Sequence, residues 1–482
     1  MLLSSFLAFG LLTLFDTSRS LHLAPRSTLT DRDDEYPLPN KGNLQIHDPN
    51  VLLYDHTFYA FKGAPSIQYF QAPSMGGPWT LVGKVLDGPS IIDKKGQTRP
   101  WAPTAIELNG TFYCFYAISQ VGSQNSSIGV ATSHSINPGS WTDHGALINT
   151  GTGGGDLSDV FPYTVSNAID PSVIIDQDGK PWLAFGSFWT DIWQVPLTDN
   201  MLSIENPSAP AANHLTFIDL PGDNNDLTHL QGTRPEEGSW ISYRTPYYYL
   251  WFSHGRCCYF DPEKLPPAGQ EYSIRMGRSL NVSGPYVDKD GQSLLEGGGQ
   301  TVYGSNHDMV YAPGGLGVVT TDVGADILYF HYRMFSIHLS LPENAPSHIA
   351  YRNIQAVVTD IWIFTVNMTV GLGFNQSLLG WNYLDYEDGW PTPISGTEAP
   401  VSQPKKSTNQ SSSATTSNAQ PTSTQPVGAQ SSSGQAHSTI SSLAQTHSAK
   451  PSSVSTKSVD KSILYVSFLA LAFLLHFASA VS

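Results

Sequence analysis

Cysteine is nearly absent from this sequence, with three residues in a chain of 482. Cys257 and Cys258 are neighbours, which can join only through a strained ring, and Cys114 either bridges to one of them or stays buried. Disulfides therefore do not build the fold, although other features of the chain indicate an oxidising compartment.

Positive charge is also scarce. Lys and Arg number 24 against 40 Asp and Glu, which gives a formal net charge of −16. Because like charges repel, this balance argues against nucleic acid and other polyanions as ligands. A neutral polymer suits the chain better.

Long apolar runs stand only at the two ends of the chain. Residues 1–20 are too short to span a bilayer and close on small residues, which predicts a secretory signal peptide. Residues 462–482 have no polar flank after them, which predicts a GPI-anchor signal cleaved near upstream serines. A C-terminal transmembrane helix is the alternative.

Large apolar residues are almost missing from residues 401–461, where Ser, Thr, Gln and Ala dominate. Such a segment cannot bury enough surface to offset its chain entropy, so we expect a disordered, O-glycosylated stalk. Together with the two ends, it predicts a protein of the secreted pathway, GPI-anchored at the cell membrane or cell wall. Sequons give this weak support; they stand at Asn109, Asn125, Asn281, Asn367, Asn375 and Asn409.

Residues 21–400 remain for the folded part and contain a repeat. Short runs rich in Val, Ile, Tyr, Phe and Trp alternate with Gly, Pro, Asn and Asp, which is strand and turn composition. One unit recurs five times at spacings of about 55 to 75 residues, and each interval has room for the four strands of a propeller blade. The sequence predicts an all-β fold, a five-bladed β-propeller, and a monomer. The units start at His47, Trp101, Ile169, Glu237 and Tyr311.

Equivalent positions of the five units should lie at one height around the central channel. The leading positions hold Asp48, Ala102, Asp170, Glu237 and Ala312. Three carboxylates from distant parts of the chain would then converge. The alternative is that Asp and Gly merely begin turns at strand entries, as they often do.

Converging carboxylates suit the cleavage of a glycosidic bond. The reaction needs one carboxylic acid to protonate the leaving oxygen and one carboxylate to activate water or attack the sugar. A third carboxylate raises the cost of ionising a neighbour and so keeps the acid protonated. Asp170 fits this third role.

Several short motifs follow one another in a specific order. They are H-D-P at 47–49, W-A-P at 101–103, N-A-I-D-P at 167–171, G-S-F-W at 186–189, E-G-S at 237–239 and a Cys-Cys pair after a Y-Y-Y-L strand. Together they resemble glycoside hydrolase family 43 and, within it, the endo-1,5-α-L-arabinanases. The similarity runs from about residue 44 to 332 and resumes at 370–391. It implies endo-hydrolysis of arabinan, a polysaccharide of pectic plant cell walls, with no required cofactor.

The resemblance also implies roles in an inverting mechanism. Asp48 would be the general base, Glu237 the general acid, and Asp170 the residue that tunes and orients the acid. Glu236 is a rival for the acid. We prefer Glu237 because the family places the acid before a small residue, here Gly238, and because only one of two successive strand residues faces the channel.

Further residues are implied as substrate contacts. Besides Asp48 and Asp170 they are Gly122, Asn167, Ala168, Ile169, Ser187, Phe188 and Trp189. Trp101 offers an aromatic face to a sugar ring, although a tryptophan beside a proline is as often part of the core.

Two departures from the family stand out. Many members hold a metal ion through a histidine in a G-P-G-H segment, whereas residues 312–315 here read A-P-G-G. The expected ligand of a bound calcium is missing, and His331 is only a remote candidate to replace it.

The second departure is an insertion at residues 333–365, where the family passes almost directly from one strand to the next. These residues do not continue the blade pattern, and an insertion here would disturb closure of the last blade. Our hypothesis is a retained intron or mis-joined exon, and a genuine surface loop is the alternative. A continuous reading in the spliced transcript would contradict the intron.

Three other functions compete with the endo-arabinanase. An exo-acting arabinofuranosidase or β-xylosidase of the same family would differ in the loops that close the groove. Fructan hydrolases usually carry Glu-Cys at the acid, which Glu237-Gly238 does not match. A non-catalytic carbohydrate-binding propeller at the cell surface is a different class, and the three intact carboxylates weigh against it because binding alone does not require them.

Overall fold

The computed structural model describes residues 36–151, 158–218, 235–258, 260, 265–306, 309–340, 365–370 and 376–400. Residue contacts divide the chain after Pro400. The predicted signal peptide, stalk and anchor signal lie outside the described residues and stay predictions. Among the residues described, no helix is long and apolar enough to cross a membrane.

Four antiparallel sheets of four consecutive strands form the first four blades. Blade 1 contains β2 (Asn50–Tyr54), β3 (Thr57–Lys62), β4 (Gln68–Ala72) and β5 (Thr80–Lys84). Blade 2 contains β6 (Trp101–Leu108), β7 (Thr111–Ile118), β8 (Ser127–Ser133) and β9 (Thr142–Asn149). Blade 3 contains β10 (Ser172–Ile175), β11 (Pro181–Gly186), β12 (Ile192–Pro196) and β13 (Asn213–His214). Blade 4 contains β14 (Glu236–Arg244), β15 (Tyr247–His254), β16 (Ser273–Ser279) and β17 (Gln300–Tyr303), with a 3₁₀ helix at Leu294–Glu296.

The fifth blade is assembled from both ends of the folded part. Its strands are β18 (Tyr311–Thr320), β19 (Asp326–Arg333), β22 (Leu378–Glu387) and β23 (Trp390–Ile394), and the N-terminal strand β1 (Asn40–Gln45) pairs with β22. The first strands of the five blades contact one another in a closed cycle, β2 to β6, β10, β14, β18 and back to β2. The predicted five-bladed propeller is therefore confirmed, and its ring is closed through blade 5.

The two described strands at the ends of the insertion pair with each other. Strand β20 (Phe335–Ser340) pairs antiparallel with β21 (Thr365–Val370), apart from the blade sheets. Blade 5 resumes at β22, which pairs with β19 across the insertion. The expected disturbance of the last blade is not seen in the described strands.

Apolar side chains fill the space between neighbouring blades. Val51 and Ala60 of blade 1 pack with Ile327 of blade 5 and with Trp381, and similar clusters join each of the other neighbouring pairs. Full burial of one such large side chain stabilises the fold by about 1.5 to 3 kcal/mol. In blade 2 a tight turn of two left-handed residues connects the first two strands; Asn109 has a φ of 52° and Gly110 a φ of 78°.

Candidate active site

The inner strands begin at a cavity of about 280 Å³. Blades 1 to 4 line it in the same manner, each with residues at the start of its inner strand and with the loop that follows its second strand. Deeper in the channel, the next residues along the same strands enclose only about 30 Å³. The channel thus widens into a site for a ligand and narrows immediately below it.

Asp48, Asp170 and Glu237 all line the cavity, on blades 1, 3 and 4. The residue that begins each inner strand is left-handed: the φ values are 46° at Asp48, 38° at Ala102, 54° at Asp170, 60° at Gly238 and 51° at Ala312. By backbone conformation, the blade 4 equivalent of Asp48 is therefore Gly238, and the predicted equivalence of Glu237 was wrong by one residue. Glu237 precedes the turn and reaches the same cavity with a longer side chain.

The side chain of Asp48 lies between two histidines. Its Oδ2 is 3.4 Å from Nε2 of His47, and its Oδ1 is 3.3 Å from Nδ1 of His331. The backbone N–H of Asp48 donates to the same Nδ1 of His331 at 3.1 Å, which fixes the turn that carries the carboxylate. Asp48 keeps 28% of its side chain exposed toward the cavity.

Opposing effects act on the ionisation of Asp48. Burial alone would raise its pKa, but His47 and His331 stabilise the carboxylate and outweigh burial. The charge of Arg333, farther along β19, acts in the same direction. The net effect lowers the pKa of Asp48 below its ordinary value, so this group is the carboxylate of the site.

Glu237 is held from two sides. The hydroxyl of Tyr272 donates to its Oε1 at 3.0 Å, and the backbone of Ser187 in blade 3 pairs with that of Glu237 in an isolated bridge. Burial raises the pKa of Glu237 to about 7, and the charge of Asp48 adds to this shift, while hydrogen bonds to Tyr272 and Ser187 oppose it. A carboxyl group with this pKa is protonated in an appreciable fraction near neutral pH.

Asp170 is the most strongly perturbed carboxyl group of the three. Its Oδ2 accepts a hydrogen bond from the backbone N–H of Gly238 at 3.2 Å, which ties blade 3 to the turn after Glu237. Burial, and then the charges of Glu237 and Asp48, raise the pKa of Asp170 well above its ordinary value. The charge of Glu237 acts on Asp170, so the two carboxyl groups affect each other's ionisation, and the tuning of the acid by Asp170 stays a prediction.

Glu236, the rival for the acid, points elsewhere. It is fully buried, does not line the cavity, and has its Oε1 3.4 Å from Nδ1 of His254. Burial raises the pKa of Glu236 to about 7 as well, so the pKa does not separate the two. Position does, because successive residues of a strand face opposite sides and Glu237 is the one on the cavity side.

Most of the predicted substrate contacts line the cavity. Trp101, Gly122, Asn167, Ile169, Ser187, Phe188 and Trp189 do so. Ala168 does not: its side chain is fully buried in the cluster between blades 2 and 3, because it lies on the opposite side of the chain from its neighbours. The structure thus places Ala168 in the core and Trp101 on the cavity wall.

Gly315, at the sequence position of the missing G-P-G-H histidine, lies against His331. A Cβ on Gly315 would lie 2.6 Å from Nδ1 of His331 and 2.2 Å from Oδ1 of Asp48. The ring that approaches Asp48 thus comes from β19, and glycine at 315 is what leaves room for it. The sequence makes His331 only a remote candidate, because no local pattern shows that two strands bring it here.

The side chains around Asp48 offer donor atoms that a metal ion could bind. Side-chain ligand atoms of His47, Asp48 and His331 lie within 4.8 Å of one another. Calcium prefers six to eight oxygen ligands, whereas two of these three donors are imidazole nitrogens. These three described side chains alone, with a single carboxylate among them, do not form a calcium site.

Two residues of the site carried no signal in the sequence. Tyr272 immediately precedes β16 and reaches Glu237, and Arg333 ends β19 with its guanidinium buried over the ring of Phe260. Tyrosine and arginine at strand ends are common. Only the blade packing shows that both belong to the site.

Comparisons with known proteins identify the family and the fold. The sequence profile of glycosyl hydrolases family 43 matches residues 42–342. The probable arabinan endo-1,5-α-L-arabinosidase D of Emericella nidulans is 47% identical over 360 residues, covering 74% of this chain and 82% of that protein. A solved arabinanase of Bacillus subtilis has a TM-score of 0.52 at 27% identity, covering 73% of this chain and 98% of its own. An exo-1,5-α-L-arabinanase from a bovine ruminal metagenomic library shares the fold, with a TM-score of 0.54 at 24% identity over 74% and 99% of the two chains.

Proposed function

The chain belongs to glycosyl hydrolase family 43, and on that premise we propose that it hydrolyses internal 1,5-α-L-arabinofuranosidic linkages of arabinan with Asp48 as base and Glu237 as acid. One observation carries the assignment of residues. Three carboxyl groups from blades 1, 3 and 4 share one cavity, and their pKa values are driven apart, downward for Asp48 and upward for Glu237 and Asp170. Pairs of titratable groups separated in this way mark acid and base roles.

Glu237 would act first on the leaving group. As the protonated acid, it donates its proton to the glycosidic oxygen while the bond to the anomeric carbon breaks. Tyr272 holds Oε1 of Glu237 at 3.0 Å, which limits the rotation of the carboxyl group. The bond between Asp170 and the N–H of Gly238 fixes the backbone turn beside it. Both contacts position the acid.

Asp48 would activate the water that replaces the leaving group. Its carboxylate accepts a proton from that water as the oxygen attacks the anomeric carbon from the opposite face, which inverts the configuration. The fixed N–H of Asp48 and the flanking rings of His47 and His331 restrict the carboxylate to one orientation. Such pre-orientation lowers the entropic part of the barrier.

Product analysis on linear 1,5-α-arabinan tests the proposal. We expect the mature chain to release oligosaccharides of several lengths and the Glu237→Gln variant to release almost none. Monomeric arabinose as the sole early product would show exo action instead. If neither protein releases sugar and both bind the polymer, the chain is a surface carbohydrate-binding propeller.

We also propose that this enzyme works outside the cell on a stalk. The composition of residues 1–20, 401–461 and 462–482 supports a secreted, GPI-anchored protein whose propeller is held away from the surface. The propeller closes on itself, which supports a monomer. Phosphatidylinositol-specific phospholipase C should release the activity from intact cells. Activity that stays with the membrane fraction after this treatment would favour a transmembrane helix.

A further inference from the structure

The turn after β15 places a disulfide on the wall of the cavity. Cys257 and Cys258 are joined to each other, and both line the same cavity as Asp48 and Glu237. The third cysteine, Cys114, is a free thiol buried in blade 2. Neither catalytic step above uses the disulfide.

The blade repeat gives this turn a functional position. In each of blades 1 to 4 the loop after the second strand lines the cavity. In blade 3 that loop contains Ser187, Phe188 and Trp189, the predicted sugar contacts, and in blade 2 it contains Gly122. The disulfide occupies the corresponding loop of blade 4, so it stands where the other blades present residues to the ligand.

The same turn contacts the surroundings of both catalytic carboxyl groups. Sγ of Cys258 lies 4.0 Å from Nε2 of His47, whose ring flanks Asp48. Cys257 packs against the cluster that contains Tyr272, the residue that holds Glu237. The disulfide therefore lies on the cavity wall next to residues that contact the base and the acid.

Backbone contacts fix the turn in place. The N–H of Arg256 donates to Gln270 O, the N–H of Tyr272 donates to Arg256 O, and Nε of Arg256 donates to Cys258 O, at 2.9, 2.9 and 3.1 Å. A Cβ on Gly255, whose φ is 102°, would lie 2.5 Å from Glu271 O, so glycine permits this close approach. Cys258 is buried while Cys257 is partly exposed to the cavity.

We propose that the Cys257–Cys258 disulfide is a substrate-contacting wall that binds the apolar face of the arabinofuranose unit at the cleavage point. Disulfide sulfur is polarisable and carries no hydrogen to donate, which suits contact with the C–H face of a sugar. Because each cysteine restrains the other, little side-chain entropy is lost when a sugar binds. The inference rests on the proposed function and adds a specificity-determining contact to it.

Protection of the disulfide by substrate is the direct test. The Glu237→Gln variant is saturated with linear arabino-oligosaccharide and treated with a phosphine reductant, and alkylated Cys257 and Cys258 are followed by mass spectrometry. At a sugar concentration about ten times its Kd, reduction should slow about tenfold. Cello-oligosaccharide at the same concentration serves as the control sugar and should give no protection.

Two outcomes would overturn the proposal in different ways. If calorimetry shows that the arabino-oligosaccharide binds and reduction is not slowed, the disulfide does not contact substrate, and the proposed function stands. If no arabino-oligosaccharide binds, the proposed function fails and this inference fails with it.

Kinetics of a cysteine-free turn give a second measurement. The Cys257→Ser/Cys258→Ser variant should raise KM for arabinan about tenfold, the range for losing a small apolar contact, with a smaller change in kcat. The matched control is Cys114→Ala, which removes the thiol of blade 2 and should leave KM unchanged. A double variant that keeps the melting temperature and the KM of the wild type would contradict the proposal.

Discussion

The inner strands of blades 1 and 3 begin like those of blades 2 and 5, with one difference. All four start with a left-handed residue followed by proline, and the φ values at Asp48, Asp170, Ala102 and Ala312 all lie between 38° and 54°. Blades 1 and 3 place a carboxyl group there, whereas blades 2 and 5 place a methyl group. The repeat provides the position, and the side chain alone decides whether a blade takes part in the chemistry.

The comparison also shows why five acids would not serve better than three. Buried carboxyl groups in one small channel cannot all ionise, because each charge raises the pKa of its neighbours. Here one negative charge settles on Asp48, beside His47, His331 and the charge of Arg333. The alanines of blades 2 and 5 keep further negative charge out of the channel.

The largest expected effect comes from Asp48→Asn, which keeps size and removes the charge. Loss of a general base should lower kcat/KM on arabinan about 10³- to 10⁴-fold. The control is Ala312→Gly, at the equivalent position of blade 5, where glycine accepts the positive φ and activity should stay within about twofold. If Asp48→Asn keeps a tenth of wild-type activity or more, the carboxyl group does not set blade 1 apart from blade 5 in the chemistry.

A second prediction concerns stability. The pKa of Glu237 is raised from 4.5 to about 7 in the folded protein, so its carboxyl group stabilises the fold fully below pH 4.5 and this contribution is lost as the pH rises through 7. The free energy of unfolding of Glu237→Gln, taken relative to that of the wild type, should therefore rise by on the order of 3 kcal/mol from pH 4 to pH 8. Urea unfolding at both pH values measures this, and a difference that is independent of pH would refute the assigned shift.

Asp170 is expected to matter through its contact with the Gly238 N–H. Asp170→Ala removes the acceptor, and the misplaced acid should cost about 10²-fold in kcat. Asp170→Asn keeps an oxygen acceptor, so it should avoid most of that loss. Equal losses in the two variants would show that the ionisation of Asp170, rather than its hydrogen bond, is what the site uses.

The smallest expected effect comes from adding a carboxyl group to blade 2, which has an alanine at this position. Ala102 lines the cavity in a conformation that aspartate adopts at two other blades. Ala102→Asp would add a like charge, raise the pKa of Glu237 further and move the alkaline limb of the kcat/KM profile up by about one pH unit. A limb that stays in place or moves down would mean that the blade 2 position is electrostatically separate.

The sequence predicted the repeat, the blade number and the three acids, because each depends on local patterns of strands, turns and Asp-Pro steps. It did not predict what long-range pairing creates. β1 joins β22 across more than three hundred residues to close the ring, and Tyr272 and His331 reach the carboxyl groups from other strands. The sequence also did not show that the repeat position of blade 4 is Gly238 and not Glu237, because the left-handed backbone that marks this position is visible only in the structure.

Substrates that differ in their leaving group separate the role of the acid from that of the base. Aryl glycosides of arabino-oligosaccharides with a dinitrophenyl group leave without protonation, so they need the base and not the acid. We predict that Glu237→Gln cleaves them at a rate near that of the wild type and fails on arabinan, while Asp48→Asn fails on both and Glu236→Gln retains both. If instead Glu236→Gln cleaves the dinitrophenyl glycosides and fails on arabinan, while Glu237→Gln cleaves both, the acid is Glu236 and the proposed site is contradicted.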